Sequence, residues 1–440
     1  MEDILEVAEK LLMENCLCDN CLGRQFAALG YGIDNAERGR SLKNTLTFKA
    51  HKLALEKGKV GIEILKKIAL NGMSLTAKNT LKKLGYTLKE KKGSCTICRG
   101  KFQELNSIAE KCLKKIDDYE FNNFLVGVEV PKDVIEAEDS LRARYGINWG
   151  ETIKSEFTRE VGKILAKITG KDVEYRKPDI VILFNPFNEE IKIQVNPLFI
   201  GGRYKKLIRG IPQSRWLCRK CKGRGCSYCN WKGKMYEESV QEIIEKPVLD
   251  ETLGETTEFH ASGREDVDAL VLGNGRPFVI EVKNPKRRSI NLKKVEDEVN
   301  KTGKVEVQNL YFADRDTVRK IKLLEGVKKI YEVVVEVEDG EIADKDLEIL
   351  KEKFRDIDIH QQTPRRVLHR RADKVRVKHI YSIDADKLTP KRLKLKIECQ
   401  GGLYIKEFID GDEGRTKPSI SEILGKKLKC LELTVLDISC

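Results

Sequence analysis

Residues 259–278 read FHASGREDVDALVLGNGRPF and contain two carboxylates, Asp266 and Asp268, two positions apart beside Arg264. They lie between an apolar stretch and a glycine-rich turn, which predicts a loop between two strands. In an extended segment alternate side chains point the same way, so we expect Asp266 and Asp268 to face one side and Glu265 the other. Capping carboxylates of an ordinary polar turn would give the same short pattern. The role of these carboxylates therefore has to be inferred from the rest of the chain.

The surrounding chain is basic and long enough for several domains. Its 440 residues include 83 Lys and Arg against 70 Asp and Glu, a net charge of +13. This excess favours a polyanion partner, most often nucleic acid, while 40% apolar residues exclude a disordered chain. No stretch of the sequence approaches the roughly 20 apolar residues that span a bilayer. The acidic, amphipathic first residues do not resemble a targeting signal, so we expect a cytoplasmic protein without membrane partners.

The pattern of charge and apolar residues predicts two domains, 1–237 and 238–440. From Ile191 to Tyr236 the chain has 12 Lys and Arg and no Asp or Glu, and mixed charge returns at Glu237. In the first domain, a helix between strand runs such as PDIVILFN and IKIQVNPLFIGGRY predicts an α/β module over about 55–205. In the second, strand runs separated by helices predict an α+β domain with a largely antiparallel sheet. The strand runs are 278–283, 304–311, 330–337, 393–400 and 430–438.

Eight of the 13 cysteines form four Cys-x-x-Cys pairs, a pattern that indicates metal in a reducing compartment. Cys218, Cys221, Cys226 and Cys229 follow a C-x2-C-x4-C-x2-C spacing inside a basic segment, 215–234. Four thiolates around one ion are the closed arrangement of structural zinc. A redox pair or a degenerate site is the alternative.

Two further pairs, Cys18 with Cys21 and Cys95 with Cys98, lie far apart in the sequence. Neither pair alone closes a tetrahedral site, but together they can. The alternative is two ordinary turns with buried thiols. The sequence therefore predicts one or two structural zinc ions.

Two dense basic stretches favour RNA as the polyanion. Residues 202–234 hold 11 Lys and Arg interleaved with Tyr204, Trp216, Tyr228 and Trp231, and residues 361–380 hold a second cluster against a single Asp373. Cations contact phosphates, and aromatic rings stack on unpaired bases, although a charge run can also be a solvated face. DNA is disfavoured because no helix-turn-helix and no zinc finger with histidine ligands is recognisable. The predicted RNA-binding residues are Arg203, Lys205, Lys206, Arg215, Arg219, Lys220, Arg365, Arg366, Arg370 and Arg371.

Several long motifs resemble the archaeal tRNA pseudouridine synthases of the tenth family. They are GREDVDALVLGNGRPFVIEVKNPKRR, QQTPRRVLHRRADKVRVK, CQGGLYIKEFIDGDEGRTKPSISEILG, CDNCLGRQFA and GRYKKLIRGIPQSRW, so the resemblance covers essentially the whole chain. It implies a multidomain α+β protein with an N-terminal zinc-binding, THUMP-containing RNA-binding domain. It also implies that the C-terminal domain has a pseudouridine synthase fold with a mixed, largely antiparallel sheet. The implied substrate is the TΨC arm of tRNA, at positions 54 and 55, bound by a monomer.

The resemblance also implies roles for individual residues. The family carries its catalytic aspartate in a Gly-Arg-x-Asp loop, which places it at Asp266, with Asp268 as the near competitor. Tyr331 matches the tyrosine that stacks on the target base, and Lys406 the cation that pairs with the catalytic aspartate. The remaining matches are Ile405 and Leu433 as apolar pocket residues and Arg264 as a phosphate clamp.

Isomerisation of uridine needs a carboxylate but no cofactor. A C–N glycosidic bond breaks, the uracil rotates in the pocket, and a C–C bond forms, so a single nucleophile or base suffices. Because a folded RNA hides the target base, the enzyme must extrude it.

Two other functions fit parts of the sequence. A non-catalytic, zinc-containing RNA-binding protein or tRNA chaperone explains the charge and cysteines, but gives Asp266, Tyr331 and Lys406 no joint role. A THUMP-associated methyltransferase or thiouridine synthetase needs a glycine-rich loop between a strand and a helix, whereas VLGNGRPF precedes a strand. If Asp266, Tyr331 and Lys406 meet in one basic cleft, the synthase is favoured over both alternatives.

Overall fold

The computed structural model describes residues 3–88, 93–369 and 371–438. It divides into two compact units, Met1–Asn196 and Pro197–Cys440, called here the N-terminal and C-terminal units. Among the described residues, no helix is both long and apolar enough to cross a membrane.

The N-terminal unit is mainly helical. Several of its helices begin at side-chain caps, as where Asp34 accepts a hydrogen bond from the Glu37 amide and Thr152 from that of Ser155. Gly146 and Gly170 end two of them in the left-handed conformation that glycine adopts without strain. The helices are α1 Ile4–Glu14, α2 Asp19–Gly23, α3 Asn35–Lys57, α4 Lys59–Leu70, α5 Leu75–Lys83, α6 Leu105–Ile116, α7 Lys132–Tyr145 and α8 Ile153–Thr169.

A small mixed sheet completes this unit. Its strands are β1 Asn123–Val128, β2 Asp172–Val173, β3 Ile180–Phe184 and β4 Ile191–Val195, in the order β2-β1-β3-β4. Strand β1 pairs in parallel with β2 and β3, and β3 pairs antiparallel with β4. Buried Phe157 on α8 stacks on Phe102 at 4.1 Å between ring centroids, so helices and sheet share one core.

The C-terminal unit is built on one large sheet. Its strands are β5 Leu198–Lys206, β6 Thr256–Ala261, β7 Leu270–Lys283, β8 Val305–Ala313, β9 Lys328–Val337, β10 Ile357–Gln362, β11 Val375–Thr389, β12 Arg392–Gln400, β13 Thr416–Lys417 and β14 Leu428–Ile438. The helices are α9 Val240–Thr252, α10 Leu292–Asn300, α11 Arg315–Leu323, α12 Asp344–Lys353, α13 Ile405–Asp410 and α14 Ile420–Leu424.

Within the described residues the strand order is β13-β10-β11-β12-β9-β14-β7-β5-β8, and β6 also pairs with β7. The pairing of β14 with β7 is parallel and the other pairings are antiparallel, which confirms the expected mixed, largely antiparallel sheet. Alternate residues of β9 are buried, so Tyr331 and Val333 point into the same face.

The compact units divide at a different place from the expected boundary at 237/238. The stretch IKIQVNPLFIGGRY was expected to belong to a single module, but its two strands join different sheets. Strand β4 closes the N-terminal sheet, whereas β5 pairs with β7 and β8 of the C-terminal sheet. The units therefore divide between Asn196 and Pro197. Both strands mix apolar residues with lysines, and only long-range pairing distinguishes their sheets.

Candidate active site

The loop at residues 262–269, called here the catalytic loop for its proposed role, joins β6 to β7 and carries the Gly-Arg-x-Asp motif. Gly263 has φ +77, and a Cβ there would lie 2.8 Å from Lys329 Nζ and 3.3 Å from Arg276 Nη1. Both the backbone conformation and these two buried cations therefore require glycine at this position.

Glu265 points into the protein and supports the loop from beneath. The Tyr204 hydroxyl lies 2.9 and 3.0 Å from its two carboxylate oxygens, and Arg276 Nε lies 3.0 Å from one of them. Gln213 Nε2 donates to Tyr204 Oη at 2.8 Å and to the Gly263 carbonyl at 3.0 Å. Burial, reinforced by the charge of Glu265, raises the pKa of Tyr204 well above its ordinary value, which keeps the hydroxyl a donor.

Lys206 is a second support, which corrects its predicted role as an RNA contact. Its side chain is fully buried, and Nζ donates to the carbonyls of Ile211, Asp266 and Val267 at 2.9, 3.1 and 3.0 Å. Burial lowers the pKa of this ammonium to about 8. Lys206 thus holds the backbone of the catalytic loop and cannot reach a phosphate.

Asp266 and Asp268 point away from Glu265 and toward two cations, as the alternation predicted. Arg366 Nη1 lies 3.1 Å from Asp266 Oδ1, and Lys406 Nζ lies 3.6 Å from Asp266 Oδ2. Lys406 is closer to Asp268, at 2.6 and 2.8 Å from its two oxygens. Lys406 therefore contacts the expected aspartate but binds its neighbour more tightly, and Arg366 provides the closer charge for Asp266.

Electrostatics favour the charged forms of Asp268 and Lys406. Burial alone would raise the pKa of Asp268, but the hydrogen bonds and charge of Lys406 outweigh it and hold that pKa below its ordinary value. Burial opposes the charge of Lys406 too, yet Asp268 and Asp266 raise its pKa. The side chain of Asp266 is 32% exposed and that of Asp268 64%, so Asp266 is the more enclosed carboxylate.

A cleft of about 360 Å³ opens over these groups and contains most of the predicted site. Tyr331 from β9, Leu433 from β14 and Ile405 at the start of α13 form its apolar wall. Burial raises the pKa of Tyr331, so its hydroxyl stays protonated. The cations lining the cleft are Arg264, Arg276, Lys329, Arg366, Arg371 and Lys406, against the carboxylates Glu265, Asp266 and Asp268. The convergence of Asp266, Tyr331 and Lys406 in one basic cleft is what distinguishes a synthase from a passive RNA binder.

Comparisons with known proteins agree with this geometry. Residues 199–439 match the family model described as "Pus10, C-terminal", and residues 108–185 match "Pus10 THUMP domain, archaeal". The tRNA pseudouridine synthase Pus10 of Methanocaldococcus jannaschii is 43% identical over 440 residues, which cover 98% of this chain and 93% of that protein. The chain belongs to the Pus10 family of tRNA pseudouridine synthases.

Other relatives extend the match. The Pus10 protein of Pyrococcus furiosus is 39% identical over 435 residues, covering 99% of this chain and 98% of its own. A solved Cbf5-Nop10-Gar1 complex covers 44% of each chain at a TM-score of 0.29 and 15% identity, a likeness too distant to inform function. As a Pus10 member the chain is an isomerase, and its THUMP match lies inside the module expected at about 55–205.

Sequence reasoning missed Glu407 beside the Pus10 cleft and the position of Trp216 in the cleft lining. Buried Glu407 accepts a short hydrogen bond from Arg366 Nε, so Arg366 links it to Asp266. Trp216 lines the cleft, and Arg264 lies over its ring at 5.0 Å from the centroid. The signal for Glu407 was its position beside Lys406 in LYIKEF, since both begin α13.

The predicted RNA contacts divide into two classes. Arg203 donates to three backbone carbonyls, Lys205 lies 2.8 Å from Glu306, and Arg215 pairs with Glu242 and Glu245, so these side chains have partners within the unit. The second class comprises exposed Arg219, Lys220 and Arg365 together with Arg366 and Arg371, which line the cleft. Of these, Arg365 also pairs with Glu413, and Arg366 with Glu407 and Asp266. Arg370 lies outside the described residues.

The two distant cysteine pairs come together in the N-terminal unit. The four sulfurs of Cys18, Cys21, Cys95 and Cys98 lie within 4.8 Å of one another, and those of Cys18 and Cys98 are 3.6 Å apart. Thiolates about 2.3 Å from one tetrahedral ion would be separated by roughly 3.8 Å. These four residues therefore fit a structural zinc ion.

The second tetrad forms a compact module, residues 215–234, called here the knuckle. Sulfur distances of 3.8 Å join Cys218 to Cys226 and Cys221 to Cys229, which again fits zinc. The amides of Gly225 and Gly233 donate to two of the sulfurs at 3.2 Å, as expected around thiolates. Either ion would be held by four sulfurs, with no open position for catalysis.

Proposed function

We propose that the chain isomerises uridine to pseudouridine in the TΨC arm of tRNA, at positions 54 and 55, with Asp266 as the catalytic carboxylate. The observation that carries this proposal is the meeting of Asp266, Tyr331 and Lys406 in one cleft whose lining has more cations than carboxylates. The Gly-Arg-x-Asp motif at Gly263–Asp266 and Pus10 membership support it.

The geometry suggests how each group acts. Arg366 at 3.1 Å and Lys406 at 3.6 Å hold and orient the carboxylate of Asp266, which acts as nucleophile or base at the target nucleotide. The C1′–N1 bond breaks and a C1′–C5 bond forms, while C5 loses a proton and N1 gains one. Atoms and electrons balance without a co-reactant, so no catalytic cofactor is required.

The apolar wall holds the uracil while it is detached. Tyr331 stacks on the base, and Ile405 and Leu433 exclude water from the opposite side. Retention of the free uracil matters because the ring must rotate and reattach through C5 instead of diffusing away.

The substrate enters the cleft as an extruded nucleotide. Arg264 and Arg371 line the cleft opening and contact the phosphates of the flipped nucleotide, while Arg219, Lys220 and Arg365 extend the basic surface. The enzyme acts as a cytoplasmic monomer on tRNA, with one or two zinc ions in structural positions.

The direct test is pseudouridine mapping in unmodified tRNA incubated with purified protein. Single-turnover reactions with saturating enzyme separate chemistry from binding. Asp266→Asn keeps the size of the side chain but removes its charge, so it should bind tRNA as wild type does and form no detectable pseudouridine. Asp268→Asn should retain a measurable rate because Asp268 is the more exposed carboxylate and serves to hold Lys406.

Two outcomes would contradict the proposal. An active Asp266→Asn enzyme would move catalysis to another group. Wild-type protein that binds tRNA without modifying positions 54 or 55 would disprove the proposed substrate site.

A further inference from the structure

The knuckle presents two aromatic rings to solvent. Trp231 is 76% exposed and Tyr228 is 51% exposed. The other two aromatic residues of the 202–234 basic stretch are already used. Tyr204 is buried against Glu265, and Trp216 lines the catalytic cleft.

The backbone of the knuckle holds Trp231 outward. Asn230 and Trp231 both adopt left-handed conformations, with φ +48 and +63, which side chains other than glycine rarely adopt. The Trp231 amide donates to the Cys226 carbonyl at 2.9 Å, and a Cβ added at Gly225 would lie 2.9 Å from the Trp231 carbonyl oxygen. The interior of the module is made of cysteine sulfurs, so it offers no apolar core for the rings to enter. Strained, exposed aromatic residues of this kind indicate a binding surface.

The charge around the rings selects the ligand. The segment from Ile191 to Tyr236 contains no acidic residue, and exposed Arg219 and Lys220 lie on the knuckle itself. Lys220 Nζ lies 4.5 Å from the centroid of the Tyr228 ring, so a cation and a stacking face are adjacent. A ligand that matches both is anionic and carries flat π faces.

We propose that the knuckle binds unpaired nucleotides of the RNA substrate, with Tyr228 and Trp231 stacked on bases and Arg219 and Lys220 on phosphates. Base stacking on aromatic side chains tolerates any sequence and contributes substantially to single-strand binding. This inference rests on the proposed function only for the identity of the RNA, because the stacking surface itself is separate from Asp266.

The test compares aromatic and basic variants across salt concentrations, with a labelled single-stranded oligouridine and unmodified tRNA as probes. Trp231→Ala should weaken binding of both by about tenfold without changing the slope of log affinity against log salt, because no counterion release is lost. Trp231→Phe, which keeps a stacking face, should retain most of the affinity. The double variant Arg219→Met with Lys220→Met should instead flatten the slope.

Matched controls show whether an effect is specific to the knuckle. Phe312→Ala removes an aromatic ring of similar exposure, 51%, from β8 and should leave affinity unchanged. Zinc content of Trp231→Ala should equal that of wild type, which shows that the knuckle is folded. Tryptophan fluorescence of wild type should be quenched by oligouridine, and the quenching should be reduced in Trp231→Phe.

Each outcome distinguishes the two proposals. The inference would be overturned if Trp231→Ala and Tyr228→Ala bound both probes with wild-type affinity. It would also be overturned if the wild-type protein bound a poly-glutamate peptide as tightly as it binds oligouridine. If tRNA is modified while these variants bind normally, the inference alone fails. If the variants lose affinity while the wild type forms no pseudouridine, the proposed function alone fails.

Discussion

Two cations and three carboxylates organise the cleft at the scale of single residues. Arg366 lies between Asp266 and buried Glu407, and Lys406 between Asp268 and Asp266. Burial opposes the charge of Arg366, but its hydrogen bond to Glu407 and the charges of Glu407 and Asp266 raise its pKa. The carboxylate of Asp266, the proposed catalytic group, is therefore positioned by a guanidinium that Glu407 holds in place.

Arg366→Met should damage chemistry more than binding. It removes the charge-assisted hydrogen bond to Asp266 and leaves Glu407 buried without its cation. Together these changes remove about 1.5–3 kcal/mol of interaction free energy. If that loss falls on the transition state, the single-turnover rate drops about 10- to 100-fold. Pseudouridine formation at saturating enzyme measures it.

The neighbouring arginine provides the control. Arg365 is exposed and pairs with Glu413, so Arg365→Met should weaken tRNA binding without lowering the rate at saturation. Equal effects of the two substitutions on rate would show that Arg366 is only one of several phosphate contacts.

At the scale of elements, the catalytic loop depends on the end of β5. Lys206 supplies three hydrogen bonds to backbone carbonyls, and two of these belong to Asp266 and Val267. Lys206→Met leaves these buried acceptors without a donor, which costs about 1–3 kcal/mol for each acceptor. It should therefore increase hydrogen exchange in residues 262–269 and lower the rate of pseudouridine formation. Lys205→Met, a change to a part-exposed neighbour that pairs with Glu306, should leave loop exchange unchanged.

Lys206 should also give the C-terminal unit a pH-dependent stability. Burial lowers its pKa from 10.5 to about 8, so between these values the unfolded chain holds more protons than the folded one. The contribution of Lys206 to the free energy of unfolding therefore rises with pH across this window and is constant below it. Urea denaturation should show wild type gaining stability relative to Lys206→Met from about pH 8 upward. A constant difference would contradict burial of the ammonium.

At the scale of the whole molecule, the two cysteine tetrads differ in what they support. Cys21, Cys95 and Cys98 belong to the main core of the N-terminal unit, whereas the knuckle cysteines form a separate small cluster. Metal analysis should find close to two zinc ions per chain. Cys21→Ser should unfold the N-terminal unit, while Cys221→Ser should lose one ion and leave the C-terminal sheet folded.

Circular dichroism melts and zinc content measure both effects. Cys430→Ser, a change to a partly exposed cysteine outside both tetrads, should alter neither. Absence of bound metal, or a Cys21→Ser protein with the wild-type melt, would contradict a structural zinc in the N-terminal unit.

Local patterns in the sequence determined much of this protein. The spacing in the 259–278 stretch predicted that Glu265 faces away from Asp266 and Asp268, although Val267 and Asp268 form a turn instead of an extended segment. Regular cysteine spacing predicted the knuckle, since two adjacent Cys-x-x-Cys turns can surround one ion. Strand periodicity likewise predicted β7, β9, β12 and β14, whose buried faces alternate or run continuously apolar.

Tertiary structure alone decided the features that depend on distant partners. Lys205 and Lys206 are identical in type and adjacent, yet one is part-exposed and the other buried under the catalytic loop. Strands β4 and β5 look alike but join different sheets, and Arg366 rather than a residue near Asp266 in sequence supplies its closest cation. Arg366 and Asp266 are 100 residues apart in sequence, and their pairing depends on which surfaces pack together in the folded unit. A local sequence pattern does not contain that information.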